Sequence, residues 1–446
     1  MKLKSKNINR LKSLFRLLYS PFGTFIIALI ALVVYLFIML SSTYPVHQKL
    51  KMVYLVGDIS YAHQQVINEF NNKYKGQIKV IPIDLSFKEF TTNDRKELIA
   101  RALRSKSDKF DLFAVDQIWV KRFAKWAENL NKYIPNDELK KIVPEPLNSC
   151  YSNDSLVALP INIDVGMMYY RKDLLEKLKD YKKIKTQLDS SITWENFIKL
   201  GERLKSKQHP FYIFPAENYE GLVCSYMELA LTESPETFRD HKKINLLTPG
   251  SIRALQLLVD IVQKYKISPV NVLDFDETSS FKYFVTNNCY FLRGWPSYKK
   301  DKKNLYNYPK VVKTLSYSPL PRLQGFPARS ILGGWDIMLS KASREKEEAI
   351  KFMKFVISKN AQSILYNQGG YLPVLDYFYN NNNYPKLKFF KKLIDHGVNR
   401  PSMKNYTSIS DILAYYIHKA ISGNLTVHEA LSRANAMISS GKILIK

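Results

Sequence analysis

Asp164 lies in a segment whose residue types could hold a polar ligand, Val157 to Asp173, which reads VALPINIDVGMMYYRKD. Pro160 has no N–H to give a strand ladder, so it ends or kinks the strand beginning near Leu156, and the backbone turns there. Asp164 then follows the turn. Val165 to Tyr170 forms a second apolar strand, and Arg171, Lys172 and Asp173 open an amphipathic helix through Leu174, Leu175 and Leu178. An acid between two strands either points into a crevice to meet a ligand or accepts backbone N–H bonds as a turn aspartate. This window alone leaves both open.

Catalytic patterns are scarce. There is no phosphate-loop lysine, no GxSxG elbow and no HExxH, and the seven histidines are scattered. Asp274 and Asp276 could be imagined as a glycosidase pair, yet acidic loops are common and nothing marks either as a buried acid. Three widely spaced cysteines, Cys150, Cys224 and Cys289, indicate neither a metal cluster nor a disulfide framework, although one bridge could form. The expectation is a protein that is not an enzyme, with no metal and no cofactor.

The aromatics say more. Trp295 in Phe-Leu-Arg-Gly-Trp-Pro and Trp335 in Gly-Gly-Trp-Asp each follow glycine, where backbone can approach a ligand closely. Sugars present apolar C–H faces and a rim of hydroxyls, so rings supply buried area while Asp and Arg supply paired hydrogen bonds. A tryptophan that merely fills the core is the alternative for each.

Positioning such residues needs a scaffold, and 446 residues at 46% hydrophobic content suffice for two or three packed domains. Lys2, Lys4, Lys6, Arg10, Lys12 and Arg16 precede Phe22 to Leu40, a run of 19 uncharged residues. That nearly spans a hydrocarbon core, and the cations hold the N-terminus in the cytoplasm and send the rest outside. Phe37-Ile38-Met39-Leu40 followed by Ser41-Ser42-Thr43 is a poor cleavage site, so an uncleaved anchor is favoured over a signal peptide. The net charge is +27, and +21 without the six N-terminal cations. It could serve an anionic partner, but the lysines are dispersed and no basic block with interleaved aromatics argues for nucleic acid.

From Leu50 strands and helices alternate: LKMVYLVG, a helix over Ser60–Tyr74, QIKVIPIDL, a helix over Asp94–Ser105, and a strand over Phe110–Val115 ending at Asp116. This is the signature of an α/β domain with a largely parallel sheet, where ligands gather beyond the carboxyl ends of strands. After Pro160 the pattern is helix-rich, with helices expected over Thr193–Lys205, Tyr219–Thr232 and Pro249–Tyr265. Strands return at Cys289–Leu292 and Ile331–Leu339. Thr426 and Glu429 form a capping box for a last helix through Met437.

In order, the motifs resemble the extracellular solute-binding proteins of ABC importers, in the maltose/trehalose-type branch of the family-1 group. The resemblance runs from about Lys51 to Ile443. It rests on DLFAVDQIWVKRFAKW around Asp116, VALPINIDVGMMYYRKD around Asp164, NYEGLVCSYMELA around Glu220, FLRGWPSY around Trp295, GGWDIMLSKASREKEEAIKFMKFVISKNAQSILYNQGGYLP around Trp335, and RPSMKNYTSISDIL from Arg400.

The resemblance implies an α/β, two-lobed periplasmic-binding-protein fold of type II, maltose-binding-protein-like, preceded by one transmembrane helix. It implies a cytoplasmic N-terminus over 1–21, a signal-anchor over 22–40, a linker over 41–50, an N-lobe of 51–162 and 318–375, and a C-lobe of 163–317 and 376–446. The chain would cross between lobes near Asn162, Tyr317 and Leu375, and the lobes would close on a ligand by hinge bending.

Carried onto this sequence, the resemblance makes Arg95 and Asp116 hydroxyl partners from the first lobe and places Asp164 at the first crossing. Trp295 becomes the second lobe's stacking platform, Gly334 and Trp335 a cleft-lining pair, and Arg400 a polar clamp near Tyr406. Tyr219 and Glu220 match the family's YEG segment. Ile161 and Asn162 stand where the family often has an aromatic. Trp295→Ala and Asp116→Ala are then expected to weaken sugar binding with little effect on folding.

The function implied is a monomeric, membrane-anchored substrate-binding subunit that delivers a small sugar to ABC permease subunits and their ATPase. A ligand-sensing ectodomain signalling to a membrane partner, and an exported glycoside-active enzyme, are the alternatives.

Overall fold

The structure is a computed structural model that describes residues 19–43, 50–86, 90, 92–105, 109–238 and 244–441. The cationic segment before Tyr19 and most of the expected 41–50 linker lie outside the described residues. Two compact units divide at Leu50. In the first, among the described residues, one helix covers Pro21–Thr43, 23 residues, or about 35 Å at the usual rise. It is long and apolar enough to cross a membrane.

The second unit is built on two larger sheets and also holds a two-stranded hairpin of Tyr151–Ser152 and Ser155–Leu156. Its chain forms β1 (Lys51–Gly57), β2 (Ile78–Asp84), β3 (Leu112–Asp116) and β4 (Leu159–Val165). It continues through β5 (Met167–Arg171), β6 (Tyr212–Ile213), β7 (Phe291–Gly294) and β8 (Leu315–Ser318), and ends with β9 (Ile331–Leu339) and β10 (Val398–Asn399). The first sheet runs β10-β9-β3-β1-β2, with β4 also on β9, and the second runs β8-β5-β7-β6. The pairs β1–β2 and β1–β3 are parallel, whereas β9 lies antiparallel to both β3 and β4. The first sheet is therefore mixed rather than largely parallel.

Local chemistry explains the layers. Val53, Leu55 and Val56 bury β1, and the helix Tyr61–Lys73, which packs beside β2, buries Ala62, Val66 and Phe70 at i, i+4 and i+8 of one helical face, with Ile67 beside them. Ser60 caps that helix by accepting the His63 N–H, while the Ser60 N–H reaches His63 Nδ1 at 3.3 Å. At the far end, Thr426 and Glu429 close the expected capping box of the helix Val427–Ser439. The three cysteines are buried and unbridged.

Pro160 does not end its strand. It sits inside β4 opposite Asp336, and the register slips between Trp335 and Asp336 so that Ile161 is passed over. The irregularity absorbs the missing N–H, as a bulge does for a proline. Asp164 is consequently an in-strand residue facing Gly333 across the ladder, and the turn-aspartate alternative falls away. The chain leaves the first sheet at Val165 and enters the second at Met167, with Gly166 between. Ile163 to Val165 thus still belong to the first sheet, past the crossing expected near Asn162.

Candidate functional site

A cleft of about 480 Å³ opens between segments of the two sheets. β3 delivers Asp116 at its carboxyl end, and the aspartate turns the chain by accepting the Ile118 N–H at 3.1 Å. β9 supplies Gly333, Gly334 and Trp335 to the same wall, opposite β4 with Asp164. From the second sheet, β7 runs out through Gly294 into Trp295, whose carbonyl accepts a hydrogen bond from the Tyr169 hydroxyl at 3.0 Å. Tyr219 and Glu220 begin the helix Glu220–Glu233, and Arg400 arrives just after β10. All eight of these sequence-predicted residues line the cleft.

The other two stand behind it. Arg95, on the buried face of the helix Thr92–Arg104, holds its guanidinium 4.7 Å from the centre of the Trp335 ring. Tyr406 is 1% exposed and donates its hydroxyl to Glu220 Oε1 at 2.9 Å. Each therefore supports a lining residue instead of forming the wall.

Electrostatics tie the floor together. Arg400 grips both oxygens of Asp116, at 2.7 and 3.2 Å, and also donates to Glu220 Oε1 at 2.9 Å. Ser410 donates to the other Glu220 oxygen, and Glu220 lies at a helix N-terminus, where a negative charge is favoured. Burial works against charge on Arg400, but Asp116 and Glu220 outweigh it and hold the guanidinium protonated. Burial pushes Glu220 up, against the pull of Arg400.

Burial also lowers Arg95 to about 10 and raises Asp164 to about 7, the latter opposed by a 3.2 Å hydrogen bond from Asn162 Nδ2. Each tryptophan carries an arginine near one face, since Arg293 lies 4.1 Å from the Trp295 ring centre while pairing with Glu228 at 2.7 Å.

Glycine is required at Gly334. Its φ is +149°, and a Cβ there would fall 2.4 Å from the Asn162 carbonyl oxygen. Gly333 differs: a Cβ would meet Asp164, Trp295 and Arg400 at 3.5, 3.6 and 3.7 Å, in ordinary contact. Those three side chains thus surround one open spot on the cleft floor.

Several lining residues escaped the sequence reading. His63 is one; its Nδ1 faces the Ser60 N–H, which leaves the ring proton on Nε2, and burial drops its pKa to about 4 so that it stays neutral. Tyr371, 4.8 Å from the His63 ring, and Tyr298, stacked on Tyr169, are others. Both tyrosines lie in motifs quoted for the resemblance, but Glu277 and Asp58 had no local signal at all. Of the acids considered as a catalytic pair, Asp276 caps the helix Glu277–Thr286 through Ser279, and Asp274 is exposed outside the lining.

A model of the bacterial extracellular solute-binding protein family matches residues 57–363. The chain belongs to this family. This solute-binding protein is similar to a probable ABC transporter-binding protein of Deinococcus radiodurans, 25% identical over 336 residues, covering 73% of this chain and 79% of that one. Its two-lobed fold matches maltose-bound MalE3 of T. maritima with a TM-score of 0.78 at 23% identity, over 88% of this chain and 100% of that one. It also matches a solute-binding protein of Agrobacterium radiobacter K84 in complex with ribitol, with a TM-score of 0.73 at 17% identity, over 89% and 100%. Solute-binding proteins of ABC transporters with sugar and polyol binders as fold neighbours are the setting in which this cleft is to be understood.

Proposed function

We propose that this protein is a monomeric, membrane-anchored substrate-binding subunit of a carbohydrate ABC importer. It captures a small oligosaccharide outside the cytoplasmic membrane and hands it to permease subunits, while a separate ATPase subunit hydrolyses ATP. It performs no chemistry on the sugar and uses no cofactor. The observation that carries this reading is the delivery of two tryptophans to one cleft, Trp335 from the first sheet and Trp295 from the end of the second-sheet strand β7. Around them stand the carboxylates and guanidinium that hydroxyls need.

Closure then moves the lobe that carries the second sheet against the lobe that carries the first. To take a 1:99 mixture of closed and open states to 99:1, the ligand must favour the closed state by about 5.5 kcal/mol. The Pro21–Thr43 helix exceeds the apolar length of a signal peptide, which supports retention as an anchor. Intact mass of the protein recovered from membranes tests this: a species cleaved near Ser42 would refute the anchor.

Binding is tested by a thermal-shift screen of the detergent-solubilised chain against neutral mono-, di- and trisaccharides. A ligand at 100 times its dissociation constant adds about 2.7 kcal/mol. Trp295→Ala is expected to abolish the shift produced by the best sugar; an equal shift in the variant would refute the stacking role.

A further inference from the structure

The chain as a whole is strongly basic, with 67 Lys and Arg against 40 Asp and Glu, yet the cleft reverses that balance. Eight of its lining residues are acids and three are cations. Most of the acids are already engaged. Asp116 and Glu220 share the single guanidinium of Arg400, which leaves that group of three with a net negative charge. Asp84 accepts the Ile59 N–H, Asp276 caps at Ser279 and Asp301 caps at Asn304. Lys302 and Lys303 belong to the short helix Lys302–Asn307, and Lys302 lies 5.2 Å from the Tyr61 ring centre.

Asp164 and Glu277 are different. Among the described residues, neither caps a helix as Asp276 and Asp301 do, neither holds another residue's backbone N–H as Asp84 does, and neither forms an ion pair; burial pushes both carboxyls up. Glu277 sits beside the Tyr219 hydroxyl. Asp164 receives one hydrogen bond, from Asn162 Nδ2, while its Oδ1 is fully sequestered with no donor. Asn162 is 1% exposed, and its own Oδ1 is likewise buried without a donor. Two neighbouring side chains at the cleft floor therefore hold acceptor atoms that lack donors, next to the open spot over Gly333. An ammonium group brings three donors and no acceptor, together with the positive charge a buried carboxylate needs. A hydroxyl brings one donor and no charge.

We infer that the preferred ligand is a cationic amino sugar, its ammonium received by Asp164, with Glu277 a further acid of the same cleft that favours the cation. The inference rests on the sugar-binding reading above and narrows it to a substrate class. Ring faces are not the ammonium's partners, because Arg293 and Arg95 already lie against Trp295 and Trp335 and oppose a second cation there. The indoles stay available to sugar C–H faces. The rise of Asp164 to about 7 fits the same arrangement: burial, with Asp116 nearby, outweighs the hydrogen bond from Asn162 and the more distant Arg400 and Arg293, and a ligand ammonium in direct contact would oppose that rise.

The test is isothermal calorimetry at pH 7 on the full chain in detergent, with a β-1,4-linked glucosamine disaccharide, its N-acetylated form and cellobiose as probes. The expected result is binding of the amine at least about tenfold tighter than either uncharged probe. That preference should collapse in Asp164→Asn and weaken in Glu277→Gln. Thermal melts of both near-isosteric variants verify that they are folded.

Equal or tighter binding of cellobiose or the N-acetylated sugar would overturn the amine inference and leave the sugar-binding reading standing. An amine preference that survives in both folded variants would overturn the assignment to these carboxylates. No binding by any of the three, together with no hit among neutral sugars in the thermal-shift screen, would overturn both readings.

Discussion

Arg400 holds both carboxylate oxygens of Asp116, at 2.7 and 3.2 Å, across a sequence separation of 284 residues. The pair links the carboxyl end of β3 to the segment following β10, and both partners are nine-tenths or more buried. Asp116 is thus a structural counter-charge as well as a cleft residue. Asp116→Ala leaves Arg400 with Glu220 alone, and breaking a buried pair costs about 3–5 kcal/mol. Urea denaturation should show that loss, in contrast to the small folding effect expected from the sequence. A change below about 1 kcal/mol would mean the pair is dispensable.

The two neighbouring glycines should separate stability from binding. Gly334→Ala forces a side chain onto a φ of +149° and into the Asn162 carbonyl, so melting should drop by an amount equivalent to about 2 kcal/mol or more. Gly333→Ala meets no such obstacle and should melt near wild type. Its methyl instead occupies the floor between Asp164, Trp295 and Arg400, and calorimetry should show at least about tenfold weaker sugar binding. Similar melting and binding defects in both variants would contradict the geometry.

Asp164 makes a signed pH prediction. Its folded value of about 7 lies above the ordinary 3.8, so the folded protein holds this proton more tightly than the unfolded chain. Its contribution to stability is complete below pH 3.8 and is lost as pH rises through 7. Asp164→Asn removes that slope. Subtracting wild-type from variant stability at a series of pH values cancels the groups that do not interact with Asp164, and the difference should favour the variant increasingly from pH 4 and level off near pH 7. A flat difference would show that Asp164 ionises freely in the folded state.

A latch links the segment after Trp295 to the segment before Gly370. Lys300, a few residues beyond Trp295, donates to the Tyr366 carbonyl at 2.9 Å and sits 3.5 Å from the centre of the Tyr366 ring. Gly370, with φ +76°, lets the chain pass close to Ser297 and Lys300. Lys300→Ala touches no residue of the floor, but it should speed release of a bound sugar several-fold, since a partly desolvated cation–ring contact contributes about 0.5–2 kcal/mol. Stopped-flow tryptophan fluorescence with the best-binding sugar measures it, and an unchanged off-rate would remove the latch from the mechanism.

Much of the scaffold was legible because its signals are local. The helix periodicity over residues 249–265 and the Thr426/Glu429 box are read within one or two turns, and the structure places helices at Pro249–Gln263 and Val427–Ser439. Pro160 misled because its missing N–H is accommodated by the partner strand, about 175 residues away in sequence, which no window around the proline contains. His63 was missed for the opposite reason: its local role as the third residue of a helix concealed that the same ring lines the cleft.

What the sequence determined by itself is the identity and order of the elements, together with the residue types delivered to their ends. These follow from side-chain periodicity, caps and glycine placement, all short-range. Which of those ends meet was decided only by tertiary structure. The mixed order β10-β9-β3 brings Arg400 to Asp116 and sets Asp164 across from Gly333, and burial then converts ordinary acids into paired or unpaired charges. The desolvation that makes Asp164 worth neutralising exists only once two lobes exclude water from it.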